Sequence, residues 1–261
     1  MRSCPPGWAT DLAILAHTGS VLEEHDGHVV VRSPQNPEFH WGNFVLVTEE
    51  DAVDDSERWL TTFRAAFPRA EWVAIGLPRM PESGDAWAAH GLELERDDVL
   101  TTGTVPPATP LPEGYAVRRL TGQDWDQALA RSVALNDATD EQDPTSFLRF
   151  AERQVRTRQE LSRRDVGAWF GAFADGTLVA DLGIVRCGST ARYQDVSTDE
   201  GHRRRGLASH LLGVAARWAA AGGCDRWVIV TGATNPAGRV YRRLGFEPDS
   251  GTVQAYRKPP R

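Results

Sequence analysis

Arg203-Arg204-Arg205-Gly206-Leu207-Ala208 decides how the chain is read. Ahead of it, Tyr193-Gln194-Asp195-Val196 carries the β-branched and aromatic residues that suit a short strand. Residues 199–205 lack apolar periodicity. From Leu207 onward, Leu207, Leu211, Val214, Ala215 and Trp218 recur at helical spacing, and Gly222-Gly223 ends the helix. The basic segment therefore falls where a strand turns into a helix N-terminus. Backbone N–H groups there have no intrahelical partners, and the helix dipole adds partial positive charge. Such a corner suits a pyrophosphate. Gly206 lets the backbone approach a ligand without a Cβ in the way, and Ala208 keeps the next turn thin. An exposed basic turn would carry the same residues, so this segment alone specifies no function. Neither Gly-Lys-Ser/Thr nor G-x-G-x-x-G is present, which disfavours a P-loop and a dinucleotide fold.

Downstream, Trp227-Val228-Ile229-Val230-Thr231 reads as a strand buried on both faces. Asn235 suits a helix N-cap, Pro236 the first helical position and Gly245 the position after the end. Ala237, Val240, Tyr241 and Leu244 share one face of that helix. By itself, Tyr241 reads as a core aromatic.

Arg203-x-x-Gly206-x-Ala208 followed by Asn235 and Tyr241-x-x-x-Gly245-Phe246 resembles the acyl-CoA-binding half of the GNAT superfamily of N-acetyltransferases, over residues 112–258. The resemblance implies acetyl-CoA as acyl donor and direct attack on its thioester by a primary amine of an unidentified acceptor. It places Arg203, Arg204, Arg205, Gly206, Leu207 and Ala208 on the pyrophosphate. Backbone groups of Val196 and Thr198 would hold the pantetheine arm between splayed strands, with Asn235 beyond the splay. It makes Tyr241 the general acid that protonates the departing thiolate; a phenol of ordinary pKa about 10 is near a free thiol in acidity. For the base, strand alternation puts Gln194 and Asp195 on opposite faces. Asp195 can take a proton and Gln194 can only act through a water, so Asp195 is the candidate. Its alternative role is a structural acceptor for the turn that follows. A non-catalytic acyl-CoA sensor or regulatory pseudoenzyme is the competing reading of the whole.

Working outward, residues 104–114 carry four prolines and no periodicity and read as a semi-rigid linker. They separate two segments of one plan. Ser56 to Phe67 reads as a helix with Trp59, Leu60, Phe63, Ala66 and Phe67 on one face. Trp72-Val73-Ala74-Ile75-Gly76 is an apolar run matching Trp227–Thr231, and Asp85 to His90 is helical before Gly91. In the first copy the slot before the helix, Glu49-Glu50-Asp51-Ala52-Val53-Asp54-Asp55, holds five carboxylates. A pyrophosphate would meet like charge there. The repeated order reads as α/β with a mixed sheet (α+β in its ordering), and with it the resemblance implies two tandem GNAT-like domains. Residues 1–103 form a degenerate one without a coenzyme A site, and residues 115–261 form the N-acetyltransferase domain. Asn36-Pro37-Glu38-Phe39-His40-Trp41-Gly42-Asn43-Phe44 is similar to a signature in an uncharacterised group of such tandem N-acetyltransferases.

The length of 261 residues accommodates two domains. A net charge of −7 argues against nucleic-acid and anionic-membrane partners. Cys4, Cys187 and Cys224 lack metal-ligand spacing, so no metal is expected. The first residues lack the apolar run of a signal peptide and no stretch approaches a membrane span, which with unpaired thiols fits the cytoplasm. The acceptor is expected to be a small-molecule amine or a peptide, and the assembly a monomer or homodimer. Asn136 to Asp143, with four carboxylates in eight residues, is either an acidic rim favouring a cationic acceptor or a solvated loop in which Asp143 caps the next helix.

Overall fold

Val73-Ala74-Ile75-Gly76-Leu77 and Trp227-Val228-Ile229 are buried, as unbroken apolar runs require of central strands. The computed structural model describes residues 4–139 and 143–259. The chain runs through α1 (Pro6–His17), β1 (Val21–His25), β2 (His28–Arg32), β3 (Phe44–Val47), α2 (Ser56–Ala66), β4 (Val73–Leu77), α3 (Asp85–Ala89) and β5 (Glu93–Thr102). It continues through β6 (Ala116–Arg119), α4 (Asp124–Thr139), α5 (Pro144–Arg163), β7 (Gly167–Ala174), β8 (Thr177–Cys187) and β9 (Thr190–Thr198). It ends with α6 (Leu207–Ala221), β10 (Arg226–Gly232), α7 (Gly238–Arg243) and β11 (Glu247–Arg257).

In the first unit the strands lie in the order β1-β2-β3-β4-β11-β5. β3 and β4 are parallel, whereas β1/β2, β2/β3 and β4/β11 are antiparallel. Trp8, Leu12, Phe44, Trp59, Phe63, Trp87 and Val253 are among the buried side chains of its core. Trp8 donates its Nε1–H to the Leu77 carbonyl at 3.0 Å, fixing α1 to β4. Gly76 makes room for that indole, since a Cβ there would come within 2.8 Å of the ring. Asp55 caps α2 by accepting from the Arg58 N–H at 3.1 Å.

In the second unit the order is β10-β9-β8-β7-β6. β10 and β9 are parallel and the remaining pairs antiparallel. Leu207, Leu211, Leu212, Ala215, Ala216 and Ala219 bury the apolar face of α6, and Tyr193 of β9 donates its hydroxyl to the Leu212 carbonyl at 2.9 Å. The sequences of elements β2-β3-α2-β4-α3-β5 and β8-β9-α6-β10-α7-β11 are the same, and in each the parallel pair is bridged by the longer helix.

The boundaries differ from those read off the sequence. One unit comprises the chain up to Val99 together with Val230–Asn235 and the segment from Asp249 on; the other comprises Leu100–Ile229 and Pro236–Pro248. The C-terminal strand belongs to the first unit because Val253 to Arg257 pair with Leu77 to Val73. Gln254 of β11 also bonds Asp97 of β5 at 2.7 Å. Nor is 104–114 a spacer. It lies in the second unit against α6, where the Thr109 carbonyl meets His210 Nδ1 at 2.5 Å and a Cβ on Gly213 would collide with the Ala108 backbone. A proline-rich segment without periodicity can be a packed strap as readily as a tether, and the absence of a side chain at Gly213 selects the strap.

A fragment ending at residue 103 lacks the strand between β4 and β5. It is expected to show no cooperative urea transition by tryptophan fluorescence, whereas the intact protein does; a sharp transition in the fragment would refute the requirement for β11.

Candidate functional site

β9 is not a regular strand where the candidate residues sit. Asp181 of β8 faces Ser197 and Gly183 faces Gln194, so one residue of β8 opposes two of β9. Asp195 occupies this bulge at φ 49°, a left-handed conformation that Asp tolerates better than most residues. The alternation used to separate Gln194 from Asp195 therefore breaks at this point. Gln194 turns its amide to the neighbouring Tyr193 carbonyl at 2.9 Å. Asp195 accepts from the Arg158 guanidinium of α5 at 2.7 Å, with the carboxylate 54% and the arginine 18% exposed. The carboxylate is already engaged by that guanidinium, so the geometry favours a structural acceptor over a base. The donor is α5, not the following turn.

The parallel pairing of β10 with β9 runs from Arg226↔Thr190 to Val228↔Arg192 and goes no further among the described residues. Val196 and Thr198 lie beyond its end, half-buried, on the strand edge that this separation frees. The Thr198 carbonyl accepts from Arg203 Nε at 3.1 Å.

A short turn, Glu200–His202, then leads to the basic segment. Arg204 (φ 61°) and Gly206 (φ 85°) both adopt left-handed backbone, which bends the chain sharply into α6. Arg203, Arg204 and Arg205 are exposed, and Arg205 folds back to the Gly201 carbonyl at 3.2 Å. The first turn of α6 has no side-chain cap, and its intrahelical bonding begins with His210 N–H to Gly206 at 3.0 Å. No atom lies within 4 Å of where a Gly206 Cβ would project. Leu207 is buried and anchors the helix start, while Ala208 is half-buried beside it. This is a basic, uncapped helix N-terminus with open space before its glycine, which fits a phosphate-bearing ligand. Asp195, Val196, Thr198 and Arg203 to Ala208 thus lie along one continuous stretch of the second unit.

Asn235 departs from its expected place. α7 starts at Gly238 after a turn in which Arg239 N–H bonds the Pro236 carbonyl, so Ala237 rather than Asn235 holds the N-cap position, and Asn235 is assigned to the first unit. The Asn-Pro pair signals a turn as well as a cap, and here the turn won. Gly245 (φ 89°) does follow the helix, and the Phe246 N–H returns to the Tyr241 carbonyl at 3.2 Å. Tyr241 is 5% exposed and sits in the core of the second unit. Phe246 links it to β9, with ring centroids 6.4 Å from Tyr241 and 5.9 Å from Tyr193. Burial pushes the Tyr241 phenol up to about 12. It is held protonated, as an acid must be, but as a weaker acid than the ordinary value suggests.

Sequence reading missed a partly buried ionic cluster beside this stretch, formed by Arg131 of α4, Asp181 of β8, Ser197 of β9 and the more exposed Asp199. Burial pushes the Asp181 carboxyl up, while Arg131 and Ser197 pull it back. Nothing in the spacing of these residues marks them, because only the packing of α4 over β8 brings them together. Of the acidic loop, Asp143 caps α5 through the Ser146 N–H at 2.8 Å and Asn136 is buried in α4, whereas residues 140–142 lie outside the described residues. Among the described residues no cluster of three or more His, Cys, Asp or Glu could hold a metal ion, and no helix is long and apolar enough to cross a membrane. In the first unit three of the five carboxylates of the corresponding slot have local partners: Glu49 pairs with Arg58 and Asp54 with Arg79, while Asp55 caps α2.

Residues 133–246 match the model of the acetyltransferase (GNAT) family. A GCN5-related N-acetyltransferase from Kribbella flavida superposes with a TM-score of 0.68 at 18% identity, covering 97% of this chain and 96% of that one. A conserved protein of unknown function from Staphylococcus epidermidis gives 0.70 at 11% identity, over 91% and 93%. A tandem GNAT protein from the clavulanic acid biosynthesis pathway gives 0.57 at 13% identity, over 97% and 94%. At these identities the likeness is one of fold, and it spans nearly the whole chain. No curated protein matches the sequence.

Since the folded phenol of Tyr241 titrates above its ordinary value of about 10, the native state holds that proton more tightly than the unfolded chain. Stability from this group is complete below about pH 10 and is lost as pH rises towards about 12. Tyr241→Phe is expected to flatten the fall in urea midpoint across that window; an unchanged slope would refute the shifted titration.

Proposed function

We propose that the chain, whose residues 133–246 match the GNAT acetyltransferase model, transfers an acetyl group from acetyl-CoA to a primary amine by direct attack on the thioester. The observation that carries this reading is the conjunction, in one unit, of a bulged β9, the early end of its pairing with β10 and an uncapped α6 N-terminus led by Gly206. The unpaired edge of β9 offers backbone groups that need partners, and the amide-bearing pantetheine arm would supply them. The α6 N-terminus, with Arg203, Arg204 and Arg205 around it, would take the pyrophosphate.

In the reaction the amine nitrogen forms a bond to the thioester carbon, the C–S bond breaks, and the proton the amine loses passes to solvent water. Tyr241, held protonated, donates its proton to the sulfur. With a phenol near 12 the transfer is uphill unless the thiol is also raised, and an apolar surrounding does raise a buried thiol. Asp195, engaged by Arg158, stabilises the bulge in this scheme and is not the base. That same engagement favours a second reading, an acyl-CoA-binding protein without useful turnover.

Calorimetry with acetyl-CoA and an acetyl-transfer assay over a panel of amines separate the two. Binding that is lost in Gly206→Glu, together with turnover, supports the transferase; binding without turnover supports the sensor, and absence of binding refutes both. Once an acceptor is found, Tyr241→Phe is expected to lower kcat by about 10²-fold or more with little change in donor affinity, and Asp195→Asn to have the smaller effect.

A further inference from the structure

Arg131 holds both sides of the residue at which β9 becomes the basic loop. Its Nε and Nη2 donate to Asp199 Oδ1 at 2.9 and 2.7 Å, and Nη2 also donates to Ser197 Oγ at 3.1 Å. Nη1 pairs with Asp181 on β8, and Ser197 donates in turn to Asp181 at 2.9 Å. Ser197 and Asp199 flank Thr198, and Asp199 opens the turn into Arg203 and Gly206. One guanidinium from α4 therefore ties β8, the end of β9 and the start of the loop together.

We propose that Arg131 is a positioning residue for the acyl donor, setting the loop before α6 relative to the bulged end of β9 and offsetting the charge of the carboxylates behind it. The proposal rests on the donor-site reading above. Two arguments single out this pair network from ordinary surface ion pairs. Arg131 is 15% and Asp181 11% exposed, so solvent screens the interaction little. And without the cation, Asp181 and Asp199 would set uncompensated negative charge beside a loop that has to accept a pyrophosphate. The role needs a planar fork that serves several acceptors at once, which an ammonium cannot reproduce.

The test is calorimetric titration with acetyl-CoA, with thermal melting in parallel, on the intact protein, Arg131→Gln, Arg131→Lys, Asp199→Ala and Arg118→Gln. Arg118→Gln breaks a different ion pair of the same unit, with Asp124 at the start of α4, and reports stability loss alone. Expected is a donor Kd weakened about tenfold or more in Arg131→Gln and Asp199→Ala, partial recovery in Arg131→Lys, and an unchanged Kd with a lowered melting temperature in Arg118→Gln. If Arg131→Gln does not fold, Asp199→Ala decides, since it leaves the buried Arg131–Asp181 pair intact. Native affinity in Asp199→Ala, or equal weakening in Arg118→Gln, overturns the proposal while leaving the donor site standing. No binding by the intact protein overturns the donor site, and the proposal with it.

Discussion

Three residue pairs, Arg226–Val228 against Thr190–Arg192, hold β10 to β9, and the character of the second unit depends on the pairing stopping there. A strand edge without a neighbour presents N–H and C=O groups that must bond to something. The bulge at Asp195 adds to this by turning β9 out of regular register, and left-handed backbone at Arg204 and Gly206 then throws the chain into α6. Edge, bulge and helix N-terminus are successive consequences along one stretch of chain. Remove the bulge or pair the edge, and the helix start would sit beside an ordinary closed sheet.

What keeps that open arrangement from collapsing is the packing on its other side. Tyr193 is buried and bonded to Leu212, which pins β9 to α6 before the bulge begins. Phe246 packs edge-on against both Tyr193 and Tyr241, so α7 is set against the same strand. The ionic cluster around Arg131 holds the far end. A partly buried charge cluster contributes little net stability compared with apolar packing of the same volume, and its value here lies in fixing geometry where the strand has lost its neighbour.

The first unit shows the same order of elements put to other uses. Its carboxylate-rich slot spends Asp55 on a helix cap and Asp54 and Glu49 on arginines. The Asn36–Phe44 segment is tied internally: Asn43 accepts from the Ser33 N–H and donates to the Asn36 and Phe39 carbonyls, while Gly42 packs on the Phe39 ring. Trp41 and Phe44 join Trp8 in the core. Each of these is a reason for a distinctive sequence that needs no ligand.

Local periodicity was enough to place α2, α6, β4 and β10 and to locate the basic loop at a helix N-terminus, because those features depend on residues within a turn or two of each other. The resemblance carried by Arg203–Ala208 and Tyr241–Phe246 was legible for the same reason: each motif is contiguous. Four matters were decided only by tertiary structure. β11 joins the first unit, the proline-rich segment packs on Gly213, Asp195 sits in a bulge against Arg158, and Arg131 gathers Asp181, Ser197 and Asp199. All four depend on partners tens of residues or more away, chosen by which backbone edge or buried charge lacks a mate in the folded chain. Spacing along the sequence does not encode that choice.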